Sequence, residues 1–232
     1  MASKRSKRYE EAAKLVDPEK VYDLEEAIAI VKKFPAPKFD QTVTVTIRMG
    51  VDPKQSDQMV RGTCPLPHGS GKEVRVLVFA EGEAATQAKN AGAEHVGYEA
   101  LLKEVQGGFM DFDVVIATPA AMSEVRKLGR QLGPSGLMPN PKTGTVTDDT
   151  EEAVKAVKAG RVDFRLDKNG NISVGIGKVS FEASQLEDNA KAIIEAINQV
   201  RPASAKGDYL RTCTLAATMS PGVSLELAGF RK

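Results

Sequence analysis

The chain has 232 residues, 41% of them hydrophobic and 27% charged, a globular composition with room for one large or two small domains. No apolar run approaches the ~18 residues that a membrane span needs, and the basic start MASKRSKRYE leads into no apolar stretch, so it makes no secretory signal. Net charge is +1, but of the 32 Lys+Arg and 31 Asp+Glu the segment 67–158 takes 10 and 13, a net −3, which leaves net +4 on its flanks. Cys64 and Cys213 stand far apart, which argues against a disulfide framework or a metal site and fits a reducing cytosol. Lys4, Arg5, Lys7 and Arg8 form an acid-free basic start, readable as a solubilising tail or as an arm for phosphates.

In chain order, DLEEAIAIVKKF (23–34) predicts a helix, with Asp23 and Glu26 as a capping-box-like pair and Leu24, Ala27, Ile28 and Val31 on one stripe. Pro35 and Pro37 stop it. KFDQTVTVTIRM (38–49) predicts a strand, with Val43, Val45, Ile47 and Met49 facing a core and Thr42, Thr44, Thr46 and Arg48 facing out. CPLPHGSG (64–71) reads as a loop or hinge. From 73 to 119 short apolar strands alternate with helices, and AAMSEVRKLGRQLG continues as helix. That alternation implies a parallel sheet covered on both faces. A long Gly/Pro loop (132–146) and an acid-led helix (148–160) follow. Residues 161–181 predict two strands joined by a type I′ hairpin turn at Asn169-Gly170. An amphipathic helix spans 184–200, and two strands close the chain. These textures predict an α+β domain of antiparallel sheet and helices built from both chain ends (1–66 and 159–232), interrupted by an inserted α/β domain (67–158) and open to a hinge motion.

Sequence signals for catalysis are weak. The first insertion strand ends VFAEGEAATQ, with one glycine where a dinucleotide fingerprint needs three. HGSGKE has Leu66 and Glu73 where a phosphate loop needs Gly and Ser or Thr, and it precedes the strand instead of following it. His68 and His95 have no partners at ligand spacing, and GPSG (133–136) lacks the nucleophile-elbow pattern. No cofactor is implied, and a nucleotide-using enzyme built on the insertion stands as the alternative function. The threonine row has two readings. Threonine suits any solvent-facing strand. Yet DYLRTCTLAATMSPG repeats the pattern with Thr212, Thr214 and Thr218 on one parity, then turns tightly through Met219, Ser220, Pro221 and Gly222. Hydroxyls can bond phosphates, 2′-hydroxyls and base edges, and methionine and phenylalanine can pack on sugars or bases. Lys38, Lys168, Lys178, Lys206 and Arg211 are available for phosphates.

Several long blocks, among them SDQMVRGT, LPHGSGKEVRVLVFA, LGPSGLMPNPKTGTV, AGRVDFRLDKNGNI and LRTCTLAATMSPGV, resemble the bacterial ribosomal protein L-one family over nearly the whole chain. The resemblance implies an RNA-binding domain holding both termini and a Rossmann-like, three-layer insertion. It implies binding to 23S rRNA at the mobile stalk of the large ribosomal subunit, help in releasing deacylated tRNA from the exit site, and repression of translation through the protein's own operon mRNA. Its partners would be those RNAs and other parts of the large subunit, with no membrane, in the cytoplasm. A free translational regulator outside the ribosome is a third reading. The family's contact cluster falls on Lys38, Phe39, Thr42, Thr212, Thr218 and Met219. The threonine row adds Thr44, the turn adds Ser220, and the cations add Lys168 and Lys206. Ser220 stands where the family usually has glycine, so a positive φ there would strain it unless Gly222 relieves it. Cys64-Pro65 is a second departure, placed to stiffen the hinge.

Overall fold

The computed structural model describes residues 5–205 and 207–230. In chain order the elements are α1 (Lys7–Ala13), α2 (Leu24–Lys32), β1 (Thr42–Met49), β2 (Arg61–Pro65), β3 (Val76–Phe79), α3 (Gly82–Asn90), β4 (His95–Gly97), α4 (Glu99–Gln106), β5 (Val114–Ala117), α5 (Met122–Val125), α6 (Gly129–Leu132), α7 (Thr150–Lys158), β6 (Arg161–Arg165), β7 (Asn171–Lys178), α8 (Ala183–Gln199), β8 (Leu210–Ala217) and β9 (Gly222–Leu225). They fall into two compact units, one of residues up to Gly71 and from Val162 onward, the other of Lys72–Arg161.

The terminal unit is built on a four-stranded sheet of order β7-β1-β8-β9, antiparallel at every pair. Both neighbours of β1 therefore run the same way, and α8 makes the crossover between them. The alternation read from β1 holds: Val43, Val45, Ile47 and Met49 are buried while Thr42, Thr44 and Thr46 are half-buried and Arg48 is exposed. Those inward residues share one core with Ile172 and Val174 of β7, Leu215 of β8, Ile28 of α2 and Ile193 of α8. Asp23 sits at the N-cap of α2 but makes no side-chain cap bond, so the expected capping box is absent there. Glu26 lies within 3.4 Å of Lys20 instead.

Residues 161–181 fold differently from the hairpin the sequence predicts. Both strands form, but β6 pairs with β2 and β7 pairs with β1. Asn169 does not take the positive φ that a type I′ turn demands; only Gly170 does, at 81°. The Asp167 carboxylate braces the turn, accepting from the amides of Asn169 at 2.8 Å and Asn171 at 2.7 Å. These amides, Asn171 first, hold the carboxyl below its usual range. Tertiary packing selects the partner of β6: an added Cβ on Gly62 of β2 would stand 2.6 Å from the Phe164 ring, so only glycine lets that ring lie across the pair.

Strand β7 carries a bulge. Gly177 stands opposite Val43 and Gly175 opposite Thr44, so Ile176 is the extra residue. Its carbonyl accepts from Asn189 Nδ2 of α8 at 2.7 Å. Asn189 is fully buried, donates also to Gly69 O at 3.0 Å, and accepts from His68 N at 3.1 Å. One amide thus ties α8, the bulge and the 66–71 loop together with every contact satisfied. The bulge has a second effect. Without the extra residue Lys178 would stand opposite Gln41 on the inward parity; with it, Lys178 stands opposite Thr42 on the open face.

In the second unit β4-β3-β5 form a parallel sheet of that order. Leu77 and Phe79 of β3 pack with α4 and α6 on one face, while Val76 and Val78 pack with α3 and α7 on the other. The helix expected over 120–133 is broken into α5, a 3-10 turn (Arg126–Leu128) and α6, which begins at Gly129. Asp149 caps α7 through a bond from Glu152 N at 3.0 Å, and Gly160 closes it at φ 97°.

Candidate nucleic-acid interface

The outward residues of the terminal sheet line up across all four strands. Ser173, Thr46, Thr214 and Ser224 form one row, and Gly175, Thr44, Ala216 and Gly222 the next. Small residues are required in the second row: an added Cβ on Gly222 would stand 2.6 Å from Thr214 Cγ2. The face is accordingly flat and polar, with a protruding corner where β1 begins and β8 ends.

At that corner β8 reverses through Ala217–Ser220, closed by Ser220 N donating to Ala217 O at 3.0 Å. Met219 sits third in this turn at φ 62°, the one non-glycine with positive φ among the described residues, and is 70% exposed. The left-handed strain suspected for Ser220 therefore falls on Met219, and Gly222, which has no positive φ, gives no relief. Thr218 is latched to Thr42 by three contacts: its amide donates to Thr42 O at 3.1 Å, its hydroxyl accepts from Thr42 N at 3.2 Å, and the same hydroxyl lies 3.2 Å from Thr42 O. Lys178 Nζ donates to Thr42 Oγ1 at 3.0 Å. Phe39, three residues before Thr42, is 50% exposed, and Lys38 is exposed beside it. Asp40 between them and the strand is held by the Ser180 hydroxyl at 2.7 Å. Arg8 of α1 reaches the Met219 carbonyl at 3.4 Å.

The expected residues thus divide. Lys38, Phe39, Thr42, Thr218, Met219 and Ser220 gather at the corner, with Thr44 one step along the sheet. Thr212 is exposed but stands opposite Arg48, about 20 Å away at ~3.4 Å per residue. Lys168 lies at that far end too, in the turn whose Gly170 carbonyl accepts from Met49 N at 2.8 Å. Arg211 lines a cavity of about 710 Å³ there with Val51, Asp52, Gln55, Gln58 and Ser204. Lys206 lies outside the described residues. Gln41, Ser173 and Ser224 were not singled out in the sequence. The two serines share the parity of the threonine rows, a signal that could have found them. Arg8 belonged to a basic start whose direction only the fold reveals.

Hydroxyl protons decide what this face can recognise. Each Thr has one proton and two lone pairs. Thr44 donates its proton to Ala216 O at 3.2 Å, and Thr218 directs its own to Thr42 O. Both therefore offer acceptors outward. Thr42 accepts from Lys178 and keeps a proton to give. A phosphate oxygen only accepts, so an acceptor-rich face matches donors such as 2′-hydroxyls and base amines.

An open polar sheet face with a projecting thioether and phenyl ring at one corner is the kind of surface that a binding protein presents. The model of the ribosomal protein L1p/L10e family matches residues 31–221. A large ribosomal subunit protein uL1 from Bifidobacterium longum subsp. infantis is 55% identical over 223 residues, 96% of this chain and 97% of its own. Proteins of the same name from two further Bifidobacterium longum strains are 54% identical over the same shares. The chain belongs to the ribosomal protein L1p/L10e family, as a bacterial member, and is not an enzyme. That membership removes the alternative of a nucleotide-using enzyme built on the insertion.

Proposed function

We propose that the chain is a structural constituent of the large subunit of the cytoplasmic bacterial ribosome, where its terminal unit binds 23S rRNA at the stalk through the corner formed by Phe39, Thr42, Thr218 and Met219. One observation carries the reading: Met219 is 70% exposed yet held in a left-handed backbone by a latched turn. An apolar side chain kept outward at a cost in strain is expected where it meets a partner. Phe39 beside it offers a flat ring for a sugar or base. The inserted unit would face other parts of the subunit and the exit-site tRNA whose release it assists. The same corner would hold a matching fold in the protein's own operon mRNA and so repress its translation. The family resemblance supports both roles.

The modest charge fits this mode of binding. Among the described residues, Lys38, Lys178 and Arg8 supply cations at the corner. With a slope of about −0.7 to −0.9 per phosphate, log affinity for a stalk rRNA fragment should fall by no more than ~3 per decade of salt. Replacing contacted riboses by 2′-deoxyribose should cost about 1 kcal/mol per lost bond. A titration series with chemically synthesised RNA checks both. A slope near −8, or indifference to every 2′-deoxy change, would mean that phosphates and not hydroxyls are read. Cosedimentation with ribosomal subunits separates this reading from a free regulator, which would stay in the supernatant.

A further inference from the structure

Gln41 has a side chain that direct RNA contact does not explain. It is 3% exposed and lies on the inward parity of β1. Its Nε2 donates to Thr218 O at 2.6 Å and to Ser220 Oγ at 3.2 Å. These acceptors belong to the residues on either side of Met219, whose φ is 62°. Strained backbone persists where its surroundings over-determine it. Here the determinants can be named: the Ser220–Ala217 turn bond, the Thr218–Thr42 latch, and one amide that holds the Thr218 carbonyl and the Ser220 hydroxyl on either side of Met219.

We propose that Gln41 is a positioning residue for the RNA site, resting on the RNA-binding reading above: it touches no RNA and holds the turn so that Met219 is already in its bound conformation before the partner arrives. Ser220 is the second half of this brace. A glycine at 220 would leave Gln41 the Thr218 carbonyl alone; serine gives the amide a second acceptor and points its hydroxyl into the protein. Ser220 thereby leaves the set of residues facing RNA and joins the set that shapes the turn. Preorganisation of this kind raises affinity by removing an ordering cost that binding would otherwise carry.

A double-mutant cycle on the full chain tests this, using a 23S stalk rRNA fragment as the probe and fluorescence anisotropy as the readout. Gln41→Leu should weaken binding about tenfold, with the salt slope unchanged because no phosphate contact is lost. In a Met219→Ala background the same substitution should cost less than about twofold, since the side chain that Gln41 positions is already gone. A full tenfold loss in both backgrounds, or a changed salt slope, would place Gln41 in contact with RNA or in general stability and overturn the proposal. If Gln41→Leu does not fold, Ser220→Ala carries the test: it removes only the 3.2 Å bond and should cost about threefold, and no loss overturns the brace. The RNA-binding reading fails separately, and visibly, if Met219→Ala leaves affinity unchanged.

Discussion

Replacing Phe39 by alanine lowers affinity for a large-subunit stalk RNA by about 1–3 kcal/mol, roughly 5- to 150-fold, while the urea midpoint of the free protein hardly moves. The two halves of this expectation have different origins. Phe39 is half exposed, so in the free protein its ring buries little and its loss leaves no cavity. In a complex the same ring would lie against a sugar or base, where stacking is worth most of the stated range. The ring sits on the rigid lead-in to β1, where Ser180 holds Asp40 and Thr218 latches Thr42, so little ordering cost offsets the contact. Equilibrium binding by anisotropy, beside urea unfolding followed by circular dichroism, reads both halves. A variant that binds normally removes Phe39 from the interface. One that binds weakly only because it unfolds makes the residue structural.

The largest stability effect is expected at Asn189. Asn189→Leu keeps the size of the side chain but leaves the Ile176 and Gly69 carbonyls and the His68 amide without their partner. An unsatisfied buried group costs about 1–3 kcal/mol. The bulge carbonyl cannot reach water, whereas the loop groups are only partly buried, so the expected loss is about 3 kcal/mol in all. The change should show as a lower urea midpoint at constant m value. Cys64 and Cys213 supply an independent probe: both thiols are buried, and burial raises their pKa, that of Cys213 to about 12. They should resist alkylation in the native protein and react in proportion to unfolding in the variant. A loss below about 1 kcal/mol would mean that the bulge is held by packing and not by the amide. Because the bulge turns Lys178 to the open face, the variant should also weaken RNA binding by more than its unfolded fraction explains.

Much of this architecture is legible in the sequence because it is local. The alternation of Val43, Val45 and Ile47 with threonines sets the two faces of β1, and the change of texture after residue 71 marks a different kind of unit. Misreadings arise where partners are chosen at a distance. Asn169-Gly170 is a strong hairpin signal, but β6 pairs with β2, where Phe164 needs the bare backbone of Gly62. The bulge that places Lys178 leaves only the trace of two isolated strand glycines, Gly175 and Gly177. At the corner, Phe39, Thr218 and Met219 stand out because an aromatic and a thioether among hydroxyls are unusual company. Gln41 does not: a glutamine before a strand reads as surface, and its burial follows only when the end of β8 closes over it. Thr212 shares the sheet with the corner and Lys168 sits in the turn at the sheet's far end, so neither has the corner's location, a distinction that needs the register.

RNA is expected to meet the terminal unit at the corner where β1 begins and β8 ends. Photocrosslinking the intact chain to a 23S stalk RNA fragment, followed by peptide mapping, tests it most directly. Crosslinked peptides should cover residues 38–49 and 211–222; crosslinks confined to residues 82–160, in the inserted unit, would contradict it.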